Sequence, residues 1–506
     1  MDSRKIKYAR IRVLVALYLV MCFTSFVYGA EYSLFTGDIN STLQAASRVD
    51  SLPVSLPRAV RWRPIQLNQA VTTPNILAKG DVLNLSLFAD TDYVANIDRI
   101  SKNVNNTMTV RGRIIGFPLG YLLISTSGGR SLGSIRIPEK NEYYIIQNES
   151  ANGTYYLLKV NADQLDELED EPALQPMSLA SQLSTQNGML ANTLADNPTD
   201  QVVLDAMIVY TPAARIWGVS NGGIDNIVAQ AVALGQLALD NSNTYMTLNL
   251  VYSGEINYTE NGDTETDLKR LTFTTDGYMD NVHSLRNQYS ADVVALFAKV
   301  DDTGGISWLL DSIYGDARYA FSVCRVQQIS WSYTYIHEAG HLLGCGHHKL
   351  QLIQPGPGLF SYSAGWRWVG NDNVLYSSVM TYDSGQAFAD GKNSTRIGYF
   401  SNPDILYKGV ATGDSVNADN ARTIRETKFV VAGYRSISTY IDIGLRYYDG
   451  SKIIKLACEY GRPISPLQIS KKGNTYGIAL VDTSDPYASG IIIQTSSGLK
   501  AIRKLQ

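Results

Sequence analysis

Four of the five histidines in this 506-residue chain lie within the twelve residues HEAGHLLGCGHH, numbered 337–348. His337 and His341 are four residues apart, so a helix would place both imidazoles on one face, about one turn apart. Gly344 can adopt the positive φ that ends a helix and turns the chain, which would return His347 to the same point. Three neutral imidazoles with a fourth position open are typical of a catalytic zinc site.

Glu338 directly follows the first of these histidines. It is badly placed to bind the same ion but well placed to contact a water molecule on it. Zinc lowers the pKa of bound water toward about 7, and a carboxylate can then take the proton and pass it to a leaving amine. The pattern therefore predicts Zn²⁺ held by His337, His341 and His347, with Glu338 as the general base. The sequence leaves structural Ca²⁺ open but contains nothing that indicates it.

The run HExxHxxGxxH resembles the signature of the metzincins, which are zinc endopeptidases. The resemblance implies that Met380, in SVMTY, packs under the three imidazoles without binding the metal. It also implies that Tyr382 lies near the zinc, as in astacins and serralysins, and donates a hydrogen bond to the oxyanion; a purely structural tyrosine is the alternative. The order of motifs from Val202 to Arg435 is similar to that of secreted bacterial reprolysin-like enzymes, including the peptidyl-Asp metalloendopeptidases.

Four further polar residues carry weaker expectations. His348 stands where such families often have an acidic residue; we expect it to face solvent, with a substitute metal ligand as the alternative. His283, on a predicted helix, is expected to be structural. Asp38, in FTGD, resembles the metal-capping aspartate of astacin propeptides. Arg367 would favour acidic substrates if it faced the specificity pocket, and a surface role is the alternative.

Two expectations concern the surroundings of the predicted zinc helix. By its position in the family, ARYAFSVC (317–324) corresponds to the edge strand that pairs antiparallel with an extended peptide substrate. Cys324 and Cys345 flank the helix, and in an oxidising compartment we expect a disulfide between them. Cys458 would then be unpaired.

The N-terminal half is predicted to hold a signal and a pro-region. Residues 1–30 combine basic residues with an apolar run that is typical of a cleaved secretory signal peptide. Residues 31–195 contain short alternating apolar runs, which indicate a β-rich segment. We expect this segment to be a pro-region that covers the cleft. The polar stretch 171–201 reads as an exposed linker, where proteolytic cleavage is expected.

Strands then alternate with helices over residues 196–438, which predicts an α/β metzincin (zincin-like) catalytic domain with a mixed, mostly parallel sheet. Its strands are expected at 202–210, 248–254 and 291–298, with a long helix beginning near Ile224. Residues 439–506 contain short strands and turns and are expected to form a small all-β C-terminal domain. This segment holds nine Lys and Arg against five Asp and Glu.

These features predict a multidomain, secreted zinc metalloendopeptidase that is made as a zymogen. Its substrate would be a protein or peptide bound as an extended strand. The net charge of −4 shows no basic excess, so no nucleic-acid partner is expected. No stretch after the signal is apolar for long enough to span a membrane, and we expect a monomer. The alternative is a catalytically inactive metzincin-fold protein that binds surfaces through its basic C-terminal domain.

Overall fold

The computed structural model describes residues 29–37, 59–149, 153–161, 165–176 and 197–435, together with the backbone of six strands between 445 and 504. Residues 1–28 of the predicted signal peptide, Asp38, most of the predicted linker and the side chain of Cys458 lie outside the described residues. In the part of the chain that is described, no helix has the length and apolar character needed to cross a membrane.

The N-terminal β unit (residues 29–161) is built on one nine-stranded sheet. The strand order is β1-β3-β4-β5-β6-β7-β8-β9-β2, and only β1 and β3 pair in parallel. The runs VLNLSLF, YLLISTS and YYLLKV are strands, as their alternation predicts. The elements are β1 (Glu31–Ser33), β2 (Arg61–Ile65), a short helix (Gln69–Thr72), β3 (Val82–Phe88), β4 (Thr91–Lys102), β5 (Met108–Ile114), β6 (Tyr121–Ser127), β7 (Arg130–Ile137), a 3₁₀ turn (Pro138–Lys140), β8 (Glu142–Asn148) and β9 (Tyr155–Val160).

This sheet buries side chains on both faces. Leu122 and Ile124 belong to a core within the unit, whereas Leu123 packs into the core of the following domain. Polar contacts continue across the same boundary: the Gln230 amide donates to the carbonyl of Leu132 at 2.7 Å, and Arg111 lies 2.6 Å from an oxygen of Asp240. The N-terminal β unit is therefore packed against the helix that contains Gln230 and Asp240.

The next domain contains a five-stranded mixed sheet in the order β11-β10-β12-β14-β13. Four strands are parallel, and β13 runs antiparallel to β14 at the edge. The strands are β10 (Val202–Tyr210), β11 (Met246–Glu255), β12 (Val293–Ala298), β13 (Gly305–Ser307) and β14 (Phe321–Arg325), and the helices are Pro212–Ser220, Ile224–Asn241, Thr264–Thr272, Asp280–Gln288, Thr334–Leu342 and Asn420–Val431. The mostly parallel sheet and the long helix from Ile224 are as predicted.

The assignment of 317–324 as the edge strand is wrong. Its ordered part, β14, lies between β12 and β13 and is buried along its whole length. The edge is the three-residue strand β13, which begins at the second of two adjacent glycines, Gly304 and Gly305. Because β14 pairs with a strand on each side, it has no free main-chain groups for a further strand, whereas β13 is an edge strand of this sheet.

Shorter elements complete the chain. The region after the zinc motif contains β15 (Arg367–Val369), β16 (Leu375–Ser377), β17 (Thr395–Arg396), β18 (Leu406–Tyr407) and β19 (Val410–Ala411), with 3₁₀ turns at Ala317–Tyr319 and Gly385–Ala387. The C-terminal strands are β20 (Leu445–Arg446), β21 (Ile453–Cys458), β22 (Gln468–Lys472), β23 (Thr475–Ala479), β24 (Gly490–Thr495) and β25 (Gly498–Lys504), which pair antiparallel in two groups of three.

Candidate active site

The helix Thr334–Leu342 carries the first two predicted ligands, His337 and His341. It ends where Gly344 adopts a φ of +85°, the left-handed conformation predicted from the sequence. The chain then turns back, so that His347 faces the two helical histidines. All three imidazoles are buried.

The three imidazoles converge through the same ring nitrogen. The Nε2 atom of His347 lies 3.1 Å from the Nε2 atoms of both His337 and His341. Each Nδ1 instead contacts a main-chain carbonyl: Val379 for His337, Cys345 for His341 and Gln354 for His347, at 2.9–3.1 Å. Because a carbonyl oxygen only accepts, each Nδ1 must carry the proton, and each Nε2 presents a lone pair.

This donor set fits a zinc ion. The lone pair on the His347 Nε2 atom faces those of His337 and His341 at 3.1 Å, and these lone pairs repel unless a cation lies between them. Ligands at about 2.0–2.1 Å from a tetrahedral ion are roughly 3.3–3.4 Å apart, close to the observed separations. The carbonyls bonded to Nδ1 fix each ring and its tautomer, which is the usual arrangement around a metal-binding histidine. Burial lowers the pKa of His341 to about 4, which keeps the ring neutral.

Glu338 lies beside the three histidines with its carboxylate fully buried. Neither oxygen has a hydrogen-bond partner of acceptable geometry in the described part of the chain. Burial, and then the neighbouring Asp170 carboxyl, raise the pKa of Glu338 well above its usual range, with the Ser307 hydroxyl opposing the shift. A Cβ atom at Gly305 would come within 2.8 Å of the Glu338 Oε1 atom, so the edge strand passes directly over this carboxylate.

Met380 is fully buried beneath the zinc-motif helix. A Cβ atom on Gly340 would lie 2.6 Å from the Met380 sulfur, so the thioether packs against the helix between the two ligand positions. The preceding residue, Val379, supplies the carbonyl that orients His337. Met380 therefore packs against the helix that carries His337 and His341.

Tyr382 is buried beside the histidine cluster. Its ring centroid lies 4.8 Å from that of His347. Its hydroxyl donates a short hydrogen bond to the main-chain carbonyl of Asp170. Burial, and then the carboxyls of Asp170 and Glu338, raise the pKa of Tyr382, so the phenol stays protonated and able to donate.

Residues 165–174, here called the cleft segment, lie across the mouth of the site. The segment runs parallel to β13: Glu171 donates to the carbonyl of Gly305 at 2.7 Å, and Leu174 forms a parallel bridge with Trp308. On the opposite side, the Gln354 amide both donates to and accepts from the main chain of Ala173 at 2.7–2.8 Å. An extended chain therefore occupies the cleft between its two walls.

The interpretation of 171–201 as an exposed linker is consequently wrong for its first residues. Ala173 is buried, and the main chain of Leu174 donates to the carbonyl of Ser307 and accepts from the N–H of Leu309. The prediction rested on composition alone. A polar, proline-containing stretch has the composition of an exposed linker even when its main chain is bound in a groove. Residues 177–196 lie outside the described residues.

The acidic side chains of the cleft segment converge on one buried cation. Arg396 lies 2.9 Å from Glu169, 3.8 Å from Glu167 and 3.9 Å from Asp170. Burial opposes the charge on Arg396, but these carboxylates and Asp383 outweigh it and raise its pKa. Burial likewise raises the pKa of Glu169 to about 7 and that of Asp170 to about 8, with Arg396 opposing both shifts. Asp170 also lies 3.7 Å from the His337 ring.

A model of the metallo-peptidase family M12B, Reprolysin-like, matches residues 228–348. The chain is also 30% identical over 319 residues to a peptidyl-Asp metalloendopeptidase from Xanthomonas campestris pv. campestris, which covers 63% of this chain and 70% of that relative. The chain belongs to the reprolysin-like metalloendopeptidases. It is therefore a hydrolase of peptide bonds, and its substrates are proteins or peptides.

Two other proteins are similar to this metalloendopeptidase. A peptidyl-Asp metalloendopeptidase from Stenotrophomonas maltophilia is 27% identical over 320 residues, covering 63% of this chain and 71% of the relative. Metalloproteinase-II from Bacteroides fragilis is 11% identical over 64% of this chain and 91% of its own, with a TM-score of 0.35, which is too low to bear on the fold.

Three residues singled out in the sequence lie away from the metalloendopeptidase's histidine cluster. The expectation that His348 faces solvent is wrong: its ring is buried between Trp366 and Phe388, and it belongs to neither cluster of described metal-binding groups. Arg367 stacks on Phe388 at 3.7 Å and donates to the carbonyl of Lys392. The His283 Nε2 atom contacts the carbonyl of Leu271 at 3.0 Å, and its ring lies 5.1 Å from that of Phe321.

The predicted disulfide is absent from the described residues, and both cysteines that flank the helix are free, buried thiols. Cys345 faces the helix Asn420–Val431 and lies 3.7 Å from the carbonyl of Asn420. Cys324 sits within β14, where burial and then the carboxyl of Glu338 raise its pKa. The positions of the two cysteines in the sequence indicated that both lie near the same helix. They did not indicate that the two side chains pack against different neighbours.

Sequence reasoning missed Asp170, Arg396 and Gly305. The run DELEDE at 166–171 was visible as a cluster of carboxylates directly before the linker. The spacing of these acidic residues matches no metal-binding motif and does not indicate binding in a cleft. Acidic runs exposed to solvent are also common. Gly304 and Gly305 offered a better signal, because paired glycines at the start of a short strand often mark a close approach of another chain.

Proposed function

We propose that this protein is an exported zinc endopeptidase made as a latent precursor. The observation that carries the proposal is the convergence of three oriented Nε2 atoms beside a buried carboxylate that has no partner of acceptable geometry. His337, His341 and His347 would hold the ion. When bound, zinc would act as a Lewis acid and lower the pKa of a coordinated water.

Glu338 is proposed as the general base and acid. Its buried oxygens point into the site without a competing hydrogen bond, so they are available to take a proton from the attacking water. The same carboxyl would then deliver that proton to the nitrogen of the departing amine. The Gly305 main chain closes over it and limits access of bulk solvent.

Tyr382 is proposed to bind the carbonyl oxygen of the scissile bond. Its hydroxyl already donates to a main-chain carbonyl in the cleft, that of Asp170. A donor held in this position stabilises the negative charge that develops on a substrate carbonyl. Met380 would contribute packing under the site and no ligand.

The substrate is proposed to bind as an extended strand along β13. The cleft segment shows that this edge accepts an extended main chain, through Gly304, Gly305 and Ser307. In the metzincin resemblance the substrate runs antiparallel to the edge strand, whereas the cleft segment runs parallel to it. A segment held in the reverse direction presents its peptide bonds in the wrong orientation for hydrolysis.

Latency is therefore proposed to reside in the pro-region, residues 31–195, and specifically in the cleft segment. The segment contacts both walls of the cleft, and its Asp170 carbonyl accepts the hydrogen bond of the Tyr382 hydroxyl. It also places the buried Asp170 side chain beside His337. Cleavage beyond the segment, followed by its release, would open the site. We further propose the signal at 1–30, the catalytic domain at 196–438 and the β domain at 439–506.

The relatives' printed name adds a preference for aspartyl bonds, which we propose for this chain as well. The test of the proposed function is casein hydrolysis by the processed protein, with N-terminal sequencing of the active form. We expect hydrolysis that stops with a chelator and returns with Zn²⁺. The absence of any chelator-sensitive hydrolysis after removal of the pro-region would refute it and favour the inactive, surface-binding alternative.

A further inference from the structure

Arg396, at the end of β17, is a buried cation in the wall of the cleft. Its side chain is 5% exposed, and its guanidinium faces four carboxylates. One of them, Asp383, belongs to the same wall and lies 3.0 Å away. The other three, Glu167, Glu169 and Asp170, belong to the cleft segment.

Departure of the cleft segment would leave Arg396 facing Asp383 as its remaining ion-pair partner among the described residues. The Nε–H group of Arg396 is buried and has no acceptor even with the segment in place. A buried guanidinium with unused donors strongly favours a carboxylate that can bind in a forked geometry. The open cleft would thus contain a site complementary to an acidic side chain.

The register of the cleft segment shows which substrate residue would reach this site. The carbonyl of Asp170 accepts the hydrogen bond from the hydroxyl of Tyr382. The carbonyl of the scissile bond is proposed to accept the same hydrogen bond in a bound substrate. The adjoining residue, Glu169, places its carboxylate on Arg396 at 2.9 Å and on the main-chain N–H of Ser384 at 3.0 Å. A side chain one residue from the bound carbonyl therefore reaches both donors.

We propose that Arg396, together with the Ser384 N–H, is the specificity-determining site that receives the acidic side chain of the substrate residue next to the scissile bond. This inference rests on the proposed function and assigns a residue to the relatives' aspartyl preference. Arg367, the residue first suggested by the sequence, donates to Lys392 and stacks on Phe388, and it forms no ion pair with the cleft segment as described.

The same wall explains why the inhibitory segment is so acidic. Glu169 contacts the Arg396 guanidinium and the Ser384 N–H, the groups proposed to bind an acidic substrate side chain. The cleft segment, however, runs in the opposite direction to the proposed substrate. The cleft segment thus combines recognition as a substrate with protection from hydrolysis. Release exposes the Arg396 site and the Tyr382 hydroxyl together.

The test compares the processed protein with Arg396→Gln, Arg396→Lys and Arg367→Gln variants, each expressed as the full chain. Cleavage sites in casein are first mapped by mass spectrometry, and kcat/KM is then measured on a peptide pair that differs only by Asp or Asn beside the cut bond. We expect the wild type to prefer Asp by about 10²-fold or more, because a site built for a charged partner rejects an uncharged analogue.

The expected result is that the preference falls to within a few-fold of unity in Arg396→Gln and is retained in Arg367→Gln. If thermal melting shows that Arg396→Gln is unfolded, the Arg396→Lys variant is the test. Lysine keeps the charge but cannot bind a carboxylate through two parallel N–H groups, so the Asp-to-Asn ratio of kcat/KM should fall at least about tenfold. An unchanged ratio in the folded Arg396 variants, or casein hydrolysis by the wild type without acidic preference, would overturn the assignment. The latter result would leave the proposed function standing, whereas no hydrolysis at all would refute both.

Discussion

The hydroxyl of Tyr382 donates its hydrogen bond to the main-chain carbonyl of Asp170, 212 residues earlier in the chain. This contact joins the proposed catalytic machinery to the segment that blocks it. The donor that would stabilise a substrate carbonyl is occupied by a carbonyl of the protein itself. Catalysis and latency are therefore expected to respond to the same side chain.

Replacing Tyr382 by Phe should lower kcat in the processed enzyme by about 10²–10³-fold, because one donor to the developing oxyanion is lost. Zinc content should stay at the wild-type level, since the three histidines keep their Nδ1 partners. Steady-state kinetics and metal analysis on the same preparation measure both. A kcat equal to that of the wild type would reduce Tyr382 to a structural residue.

The unprocessed chain should become partly active when Glu169 is changed to Gln. The substitution removes a charge-assisted bond to Arg396, and roughly a tenfold rise is expected because Glu169 is a third exposed. Peptide hydrolysis is measured at early times, with gel analysis showing that the chain is still intact.

Glu171→Gln is the matched control for this experiment. Glu171 is an acidic residue of the same segment that forms no ion pair with Arg396 in the described structure. Its substitution should leave latency unchanged. Full activity of the intact wild-type chain would show that the cleft segment does not inhibit.

Metal binding should depend on His347 and not on its neighbour His348. His347→Ala removes one of three converging nitrogens, and the zinc content should fall to a small fraction of one ion per chain. His348→Ala deletes a ring buried between Trp366 and Phe388, so it should lower thermal stability while zinc remains bound. Loss of zinc from His348→Ala would reinstate it as a ligand.

Gly305→Ala should impair catalysis more than stability. The added Cβ atom would lie 2.8 Å from the Glu338 oxygen, so either the base or the edge strand must move, and we expect kcat to fall at least about tenfold. Gly133→Ala is the control: it places a Cβ atom 2.9 Å from that of Ile146 in the N-terminal β unit. This variant should melt earlier but retain kcat, whereas equal kcat losses in both would point to general destabilisation.

The local geometry of the histidine cluster could be predicted because it is encoded within a few residues. His337 and His341 lie one helical turn apart, and the φ of +85° at Gly344 follows from the need to reverse the chain toward His347. The strand β10 was likewise recognisable, since most of its nine residues are apolar, and the structure buries it from Ala206 onward.

A pro-region that covers the cleft was predicted, but the segment that enters it could not be identified, since its position depends on contacts between residues more than a hundred positions apart. Nothing local distinguishes Glu169 and Asp170 from solvated acids until Arg396 is placed opposite them. The edge strand was misassigned for a similar reason, because β13 is three residues long and carries a weaker pattern than β14. The cysteine pairing failed because sequence spacing does not specify which neighbour each thiol faces.

The most direct test of the proposed mechanism is zinc content and casein hydrolysis measured together on processed wild type and Glu338→Ala. The wild type should bind about one zinc per chain and hydrolyse casein. The variant should bind the same amount of zinc and lose hydrolysis by at least about 10²–10⁴-fold, because its general base is gone while the three imidazoles remain. Wild-type hydrolysis by a zinc-loaded Glu338→Ala protein would contradict the account.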